Sequence, residues 1–103
     1  MNGYYKSKTL AEKAAWDYQA NLPEAERFEI VTMCPGFIMG PSICSGDGFS
    51  EGWLKKMLDG SFPKVPRTNF SFVDVRDVAL AHLKGIELAE AANKRFLLSG
   101  GDY

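Results

Sequence analysis

The chain is poor in the residues that build metal and disulfide sites. Its 103 residues include two cysteines, Cys34 and Cys44, and one histidine, His82. Two cysteines ten positions apart, with no CxxC pair and no second histidine, match neither a zinc-binding pattern nor a disulfide framework. The sequence therefore predicts no metal site.

The chain also lacks a charge excess and a long apolar run. Twelve basic and 13 acidic residues leave a formal net charge of −1, which predicts no nucleic-acid or acidic-membrane partner. No apolar run could span a bilayer and the N-terminus has no signal-peptide pattern, so a cytoplasmic location is the default expectation. The 46% of hydrophobic residues indicates one compact unit or a piece of one.

Helical and strand patterns alternate along the chain and predict an α/β fold. Apolar residues recur at helical spacing near the N-terminus, and β-branched residues mark the first strand. The expected elements are a helix over 7–19, a strand over 28–33, a loop over 42–50, a helix over 49–58, a short strand around 70–73, a helix from 74 to about 92 and a strand over 95–98.

The last helix has a start signal of its own. Asp74 is expected to be its N-cap, with Asp77 at the third helical position in a capping-box-like arrangement that suits the helix dipole. The inner face of this helix is expected to hold Val78, His82 or Ala81, Gly85 and Leu88.

The start of the chain carries the most informative spacing. Tyr4 and Lys8 are four residues apart, so on a helix they lie on one face, one turn apart. A lysine ammonium close to a phenol favours the phenolate, which makes the tyrosine a better general acid and base at working pH. Tyr5 competes for this role, but Thr9 stands where its lysine partner would be needed.

Three blocks in order give this short pattern its context. Residues 4–16 read YYKSKTLAEKAAW, residues 34–41 read CPGFIMGP and residues 72–82 read FVDVRDVALAH. Together they resemble the extended short-chain dehydrogenase/reductases, particularly the branch of dihydroflavonol reductases and cinnamoyl-CoA reductases. The resemblance implies the C-terminal portion of a Rossmann-type parallel sheet with a small substrate-binding region.

The resemblance also implies a single partial domain over residues 1–103. Residues 1–41 would supply the catalytic helix, the following strand and the nicotinamide-side loop, residues 42–73 the substrate-side loop and helix, and residues 74–103 the capped helix and final strand. The family's glycine-rich turn, which holds a pyrophosphate, is absent, as is its catalytic serine or threonine upstream of Tyr4. The chain thus resembles the C-terminal part of a larger enzyme, and we expect it to have little activity alone.

The family resemblance assigns roles to particular residues. Tyr4 would protonate the carbonyl oxygen while NAD(P)H delivers hydride, and Lys8 would support Tyr4 and hydrogen-bond the nicotinamide ribose. The backbone of residues 35–38 would line the nicotinamide, with an N–H near Phe37 or Ile38 meeting the carboxamide. The implied cofactor-side segment is Pro35, Gly36, Phe37 and Ile38, and the implied apolar substrate wall is Phe37, Phe49, Trp53 and Phe62.

Cofactor, substrate and partners follow from the same resemblance. NADP(H) is expected rather than NAD(H), the substrate is expected to be a small carbonyl or alcohol, and the full-length enzyme could form a homodimer. Ordinary core packing is at least an equal reading for Trp53. The alternative function is a non-catalytic, truncated module that packs against a partner protein.

Overall fold

The structure is a computed structural model and describes residues 3–43, 48–62, 64 and 69–101. Three α-helices and four short strands alternate along these ranges, with two single 3₁₀ turns at Glu24–Glu26 and Ala89–Ala91. The elements are α1 (Gly3–Asn21), β1 (Val31–Pro35), β2 (Phe37–Met39), α2 (Phe49–Leu58), β3 (Phe72–Asp74), α3 (Val75–Glu87) and β4 (Lys94–Leu98).

All strand pairing in the described residues is parallel. β1 pairs with β4, so that Val31 lies opposite Lys94, and β2 pairs with β3, so that Phe37 lies opposite Phe72. Parallel pairs need long crossover connections, which here contain α2 and α3. The result is an α/β arrangement in which helices connect neighbouring parallel strands.

The two strand pairs meet at Gly36. Its N–H donates to Leu98 O (3.0 Å), and the next N–H, from Phe37, donates to Ser71 O (2.7 Å). Within two residues, the backbone that follows β1 therefore stops hydrogen-bonding to β4 and begins to hydrogen-bond to the segment that leads into β3. A Cβ at Gly36 would lie 2.3 Å from Ser71 O, so only glycine lets these backbones approach so closely.

Helix α3 packs closely against β1. Val78 is buried, and a Cβ at Gly85 would lie 2.6 Å from Met33 Cε and 3.3 Å from Val31 Cγ1. Val31 and Met33 thus face α3, because alternate residues of a strand point to the same side. The small core of the described residues consists of Val73, Val78 and Ala91.

Asp74 caps α3 as the sequence predicts. Its Oδ1 accepts from the Arg76 N–H (2.8 Å) and its side chain also binds the Arg76 guanidinium (2.6 Å for Nη2–Oδ2). The Arg76 side chain first, and its backbone N–H second, lower the pKa of Asp74 from 3.8 to about 2. The carboxylate is therefore charged at neutral pH and suits the helix N-terminus.

Helix α1 lies on the opposite face of the sheet. Glu12 contacts Cys34, whose side chain points away from α3, and also reaches Arg95 of β4. No residue of α1 is buried, although Trp16 is half-buried between these contacts and the helix end.

The predicted order of helices and strands holds, with corrections to their number, to their bounds and to the inner face of α3. Residues 37–39 form β2, which the sequence analysis did not predict, and the first strand covers Val31–Pro35 rather than 28–33. The last helix ends at Glu87, five residues earlier than predicted, because Leu88 is extended and a 3₁₀ turn follows. Ala81 rather than the exposed His82 lies on the inner face, and Leu88 is exposed.

The molecule exposes much more surface than a complete domain of its mass. A folded protein of 11.4 kDa has an accessible surface of about 5,800 Å², whereas this chain has 8264 Å². The radius of gyration is 16.9 Å, against about 13 Å for a compact domain of this length. The excess surface includes large apolar side chains, among them Leu10, Tyr18, Ile86 and Leu97.

Within the described ranges, no helix combines the length and apolarity that crossing a membrane requires.

Candidate functional site

Tyr4 and Lys8 are neighbours on the first two turns of α1. Lys8 Nζ lies 5.8 Å from the centroid of the Tyr4 ring. Both Tyr4 and Tyr5 are 62% exposed, and their rings meet edge-on at 5.7 Å. The hydroxyl of Ser7 donates to Tyr4 O (2.7 Å) in the preceding turn of the helix. A phenol with an ammonium beside it, both open to solvent, can give and take a proton at a bound ligand.

The contacts of α1 fix the edge of the sheet toward which this pair points. Near its C-terminal end, Gln19 binds Phe28 O just before β1, whereas Glu12 contacts Cys34 near the end of β1. The helix therefore runs antiparallel to β1. Tyr4 is two turns, about 12 Å, beyond Glu12, so it projects past the carboxyl end of β1. Open parallel α/β sheets bind their ligands at this end of the strands.

The segment after β1 begins at the same edge. Gly36 and Phe37 use their N–H groups within the protein, on Leu98 O and Ser71 O. Of the two N–H groups predicted to meet a nicotinamide carboxamide, that of Phe37 is thus already paired. The remaining one belongs to Ile38, which is half-buried in β2.

Three of the four predicted substrate-wall residues come together. Phe37 and Trp53 have ring centroids 5.4 Å apart, and Trp53 and Phe62 are 5.6 Å apart. The fourth, Phe49, is 86% exposed. Phe49 nevertheless lines an open cavity of about 320 Å³ whose walls are Gly48, Phe49, Gly52, Trp53, Lys56 and Phe62.

Two further aromatic residues of the predicted substrate-side segment 42–73 belong to this cluster, although the sequence analysis did not name them in the substrate wall. Phe70 lies 4.6 Å from Trp53 and 5.0 Å from Phe37, centroid to centroid, and Phe72 lies 6.1 Å from Phe37. Both come from the segment that enters β3. Their apolar character was visible in the sequence, but the pairing of β2 with β3 that brings them to Phe37 was not.

A second cavity lies on the other side of α2. Its volume is about 470 Å³, and it is lined by Met39, Glu51, Leu54, Lys55, Leu58 and Asp59. The Ser61 side chain and backbone hydrogen-bond Asp59 and lower the pKa of its carboxyl, so this cavity has a charged rim. In the described residues, no cluster of three or more His, Cys, Asp or Glu side chains could hold a metal ion.

Known proteins resemble the chain over nearly its whole length. It is 31% identical to the NADPH-dependent methylglyoxal reductase Gre2 of Saccharomyces cerevisiae, over 96% of this chain and 31% of that protein. It is 32% identical to the cinnamoyl-CoA reductase CAD2 of Medicago truncatula, over 92% of this chain and 28% of that protein. No protein-family model matches.

A solved structure shows the same fold. The crystal structure of Gre2 from Candida albicans in complex with NADPH superposes with a TM-score of 0.76 at 34% identity, over 99% of this chain and 32% of that one. The resemblance to short-chain dehydrogenase/reductases and the Rossmann-type α/β class are therefore confirmed. The chain spans about a third of the length of the curated relatives it matches.

Proposed function

We propose that this chain, which belongs with the short-chain dehydrogenase/reductase-type reductases, is the catalytic carboxyl-terminal part of an NADPH-dependent carbonyl reductase. One observation carries the proposal. Tyr4 and Lys8 lie side by side at the end of α1 that projects past the carboxyl end of β1. In a parallel α/β sheet this is where a dinucleotide and its substrate would meet.

In this mechanism, Tyr4 is the general acid of the reduction. Its phenol donates a proton to the substrate carbonyl oxygen, and in the reverse direction the phenolate takes that proton back. Lys8 stabilises the phenolate by its positive charge and hydrogen-bonds the nicotinamide ribose. When bound, the nicotinamide cofactor supplies the hydride.

The chain offers a suitable surface for the nicotinamide. At the sheet edge the described residues bring together the Tyr4 phenol, the Lys8 ammonium and the backbone of residues 35–38, in which Pro35 has no N–H and the N–H groups of Gly36 and Phe37 are already bonded. Since the Phe37 N–H is already bonded to Ser71 O, we assign the carboxamide contact to the Ile38 backbone. NADPH is the expected cofactor because the similar Gre2 of Saccharomyces cerevisiae is described as NADPH-dependent and the solved Gre2 of Candida albicans is a complex with NADPH.

The aromatic cluster forms one wall of the substrate site in this proposal. Phe37 belongs both to the cofactor-side segment and to the cluster, so the cluster with Trp53 and Phe62 begins next to the proposed nicotinamide site. A small carbonyl compound with an apolar or aromatic body suits such a wall. A cytoplasmic location and a homodimer of the full-length enzyme complete the proposal.

The first experiment measures NADPH and NADH binding by the 103-residue chain, by calorimetry, together with NADPH oxidation by the full-length protein that contains it. The test variants are Tyr4→Phe and Lys8→Ala. The chain offers matched controls: Tyr5→Phe removes an equally exposed neighbouring phenol, and Lys6→Ala removes a lysine from the same turn.

We expect Tyr4→Phe to reduce carbonyl reduction by the full-length protein about 100-fold or more, while Tyr5→Phe leaves it nearly unchanged. The isolated chain should show little turnover, because most of the dinucleotide would be held elsewhere. NADPH binding weakened by Lys8→Ala but not by Lys6→Ala would place the nicotinamide side of the site in this chain. A full-length Tyr4→Phe variant with wild-type turnover would refute the mechanism.

The excess exposed surface favours one alternative, a non-catalytic module that packs against a partner protein. The same surface is expected if the rest of a reductase covers it. The two functions differ in a measurable way. A module would show no NADPH-dependent turnover in any longer form of the protein, and Tyr4→Phe would not change its binding to the partner.

A further inference from the structure

Helix α1 is attached to the sheet at its middle by one side chain. Glu12 Oε1 accepts a hydrogen bond from Arg95 Nε of β4 (2.9 Å), and Glu12 Oε2 accepts from the Cys34 thiol of β1 (3.9 Å). Both carboxylate oxygens are therefore engaged, each by a different strand. The Glu12 side chain is 24% exposed, so solvent replaces these partners only partly.

A second polar attachment holds the other end of the helix. Gln19 Nε2 donates to Phe28 O (2.8 Å) and to Asn93 Oδ1 (3.2 Å). Glu12 and Gln19 are seven residues apart, two helical turns, and lie on one face with the half-buried Trp16 between them. No residue of α1 is fully buried, so these directed polar contacts, on either side of the half-buried Trp16, fix how the helix lies on the sheet.

We propose that Glu12 is a positioning residue for the site: by binding Arg95 and Cys34, it sets where the N-terminal end of α1, with Tyr4 and Lys8, lies over the sheet edge. Tyr4, Lys8 and Glu12 follow one another at four-residue spacing along one stripe of the helix. The inference rests on the proposed function for its effect on turnover, but its geometric part does not depend on catalysis.

The distances along the helix axis make the position of Tyr4 sensitive to a displacement at Glu12. From the Gln19 attachment, Glu12 is about 10 Å and Tyr4 about 22 Å along the axis. A displacement at Glu12 would therefore be about doubled at the phenol if the helix turns about Gln19. Misplacing a catalytic group by 1 Å can reduce the rate about 100-fold.

The same contacts contribute little to stability. Arg95 is half-exposed in its ion pair, and exposed pairs stabilise proteins only weakly. Loss of the Glu12 charge should thus affect turnover much more than unfolding, which separates a positioning role from a merely structural one.

The kinetic test uses the full-length reductase with Glu12→Gln, which keeps the shape of the side chain and removes its charge. We expect kcat to fall about 10- to 100-fold with a nearly unchanged KM and thermal midpoint. Arg95→Gln should lower kcat by as much as Glu12→Gln does, and the Glu12→Gln/Arg95→Gln double variant should lower it no further than either single variant. Arg95→Lys should keep most of the activity.

A matched control breaks another ion pair. Glu87→Gln removes the 2.9 Å pair with Lys84 on α3, which lies on the opposite face of the sheet from α1, and should leave kcat unchanged. A Glu12→Gln variant with the kcat of this control would overturn the proposal, as would losses that multiply in the Glu12→Gln/Arg95→Gln double variant.

A distance measurement tests the geometry without catalysis. Spin labels at Lys6→Cys and Lys94→Cys, both exposed, report the position of the α1 start relative to β4 in the 103-residue chain. Cys44→Ser and Cys34→Ser remove the other thiols, and the hydroxyl of Cys34→Ser can still donate to Glu12. We expect Glu12→Gln to shift or broaden the interlabel distance distribution, whereas Glu87→Gln does not. An unchanged distribution would refute the positioning role even if Tyr4 is catalytic. A changed one alongside a fully active Tyr4→Phe variant would refute the proposed function alone.

Discussion

Helices α1 and α3 flank β1 on opposite faces and are held there by different forces. Helix α3 buries Val78 and approaches β1 so closely that a Cβ at Gly85 would meet Met33 Cε at 2.6 Å. Helix α1 has no fully buried residue and contacts the sheet through the polar side chains of Glu12 and Gln19, with the half-buried Trp16 between them. One helix is fixed by close apolar packing, and the other by directed polar groups around one half-buried side chain.

This difference separates the residues that stabilise the fold from those to which we assign the chemistry. Burial of apolar surface is the dominant favourable term in folding, so the α3 side should carry most of the stability. In the proposed function, the exposed end of α1 presents Tyr4 and Lys8 to a ligand, which a buried helix end could not do. The effects of substitutions should therefore differ between the two sides: those on the α3 side should lower stability, whereas those at the exposed end of α1 should lower activity.

The largest effect on the well-packed side is expected at the junction of the strand pairs. A Cβ in Gly36→Ala would lie 2.3 Å from Ser71 O, a backbone atom that cannot turn aside. We expect a loss of more than about 3 kcal/mol in the free energy of unfolding, measured by urea denaturation. Gly52→Ala in α2, with no atom within 4 Å of the new Cβ, is the control and should be stabilising by about 1 kcal/mol. Equal midpoints for the two variants would contradict the steric argument.

A pair of truncations compares the two helices directly. Val78→Ala removes methyl groups from a 7% exposed side chain of α3 and should cost about 2 kcal/mol. Leu10→Ala on α1 truncates a 54% exposed side chain and should change stability by less than about 0.5 kcal/mol. Similar costs from thermal or chemical denaturation would show that α1 is packed as firmly as α3.

The smallest effect concerns pH and the start of α3. The pKa of Asp74 is about 2 in the folded chain, lowered from 3.8 chiefly by the Arg76 side chain. Because the folded value lies below the unfolded one, Asp74 adds stability above pH 3.8, and this is lost as the pH falls from 3.8 through about 2.

Asp74→Asn keeps a capping side chain and removes the charge. Its stability should therefore decline less than that of the wild type between pH 4 and pH 2. The control, Asp77→Asn in the same helical turn, leaves the Asp74–Arg76 contacts in place and should keep the wild-type slope over this range. A parallel decline of all three proteins would show that Asp74 has no part in the pH dependence.

Local signals predicted the helices well. The bounds of α2 were predicted as 49–58, and Asp74 was predicted as the N-cap of α3, because amphipathic spacing and capping side chains act within a few residues. β2 was not predicted, since its three residues become a strand only by pairing with β3. The early end of α3 was also missed, because neither glycine nor proline marks Leu88.

The sequence by itself determined that Tyr4 and Lys8 would be neighbours. Their four-residue spacing becomes one helical turn through local backbone geometry, whatever surrounds the helix. Only the tertiary structure decided that this turn projects past the carboxyl end of β1, that Gly36 joins two strand pairs, and that Phe70 lies against Phe37. Each of these depends on contacts between residues far apart in the chain, such as Glu12 with Arg95, and no local pattern encodes such a contact.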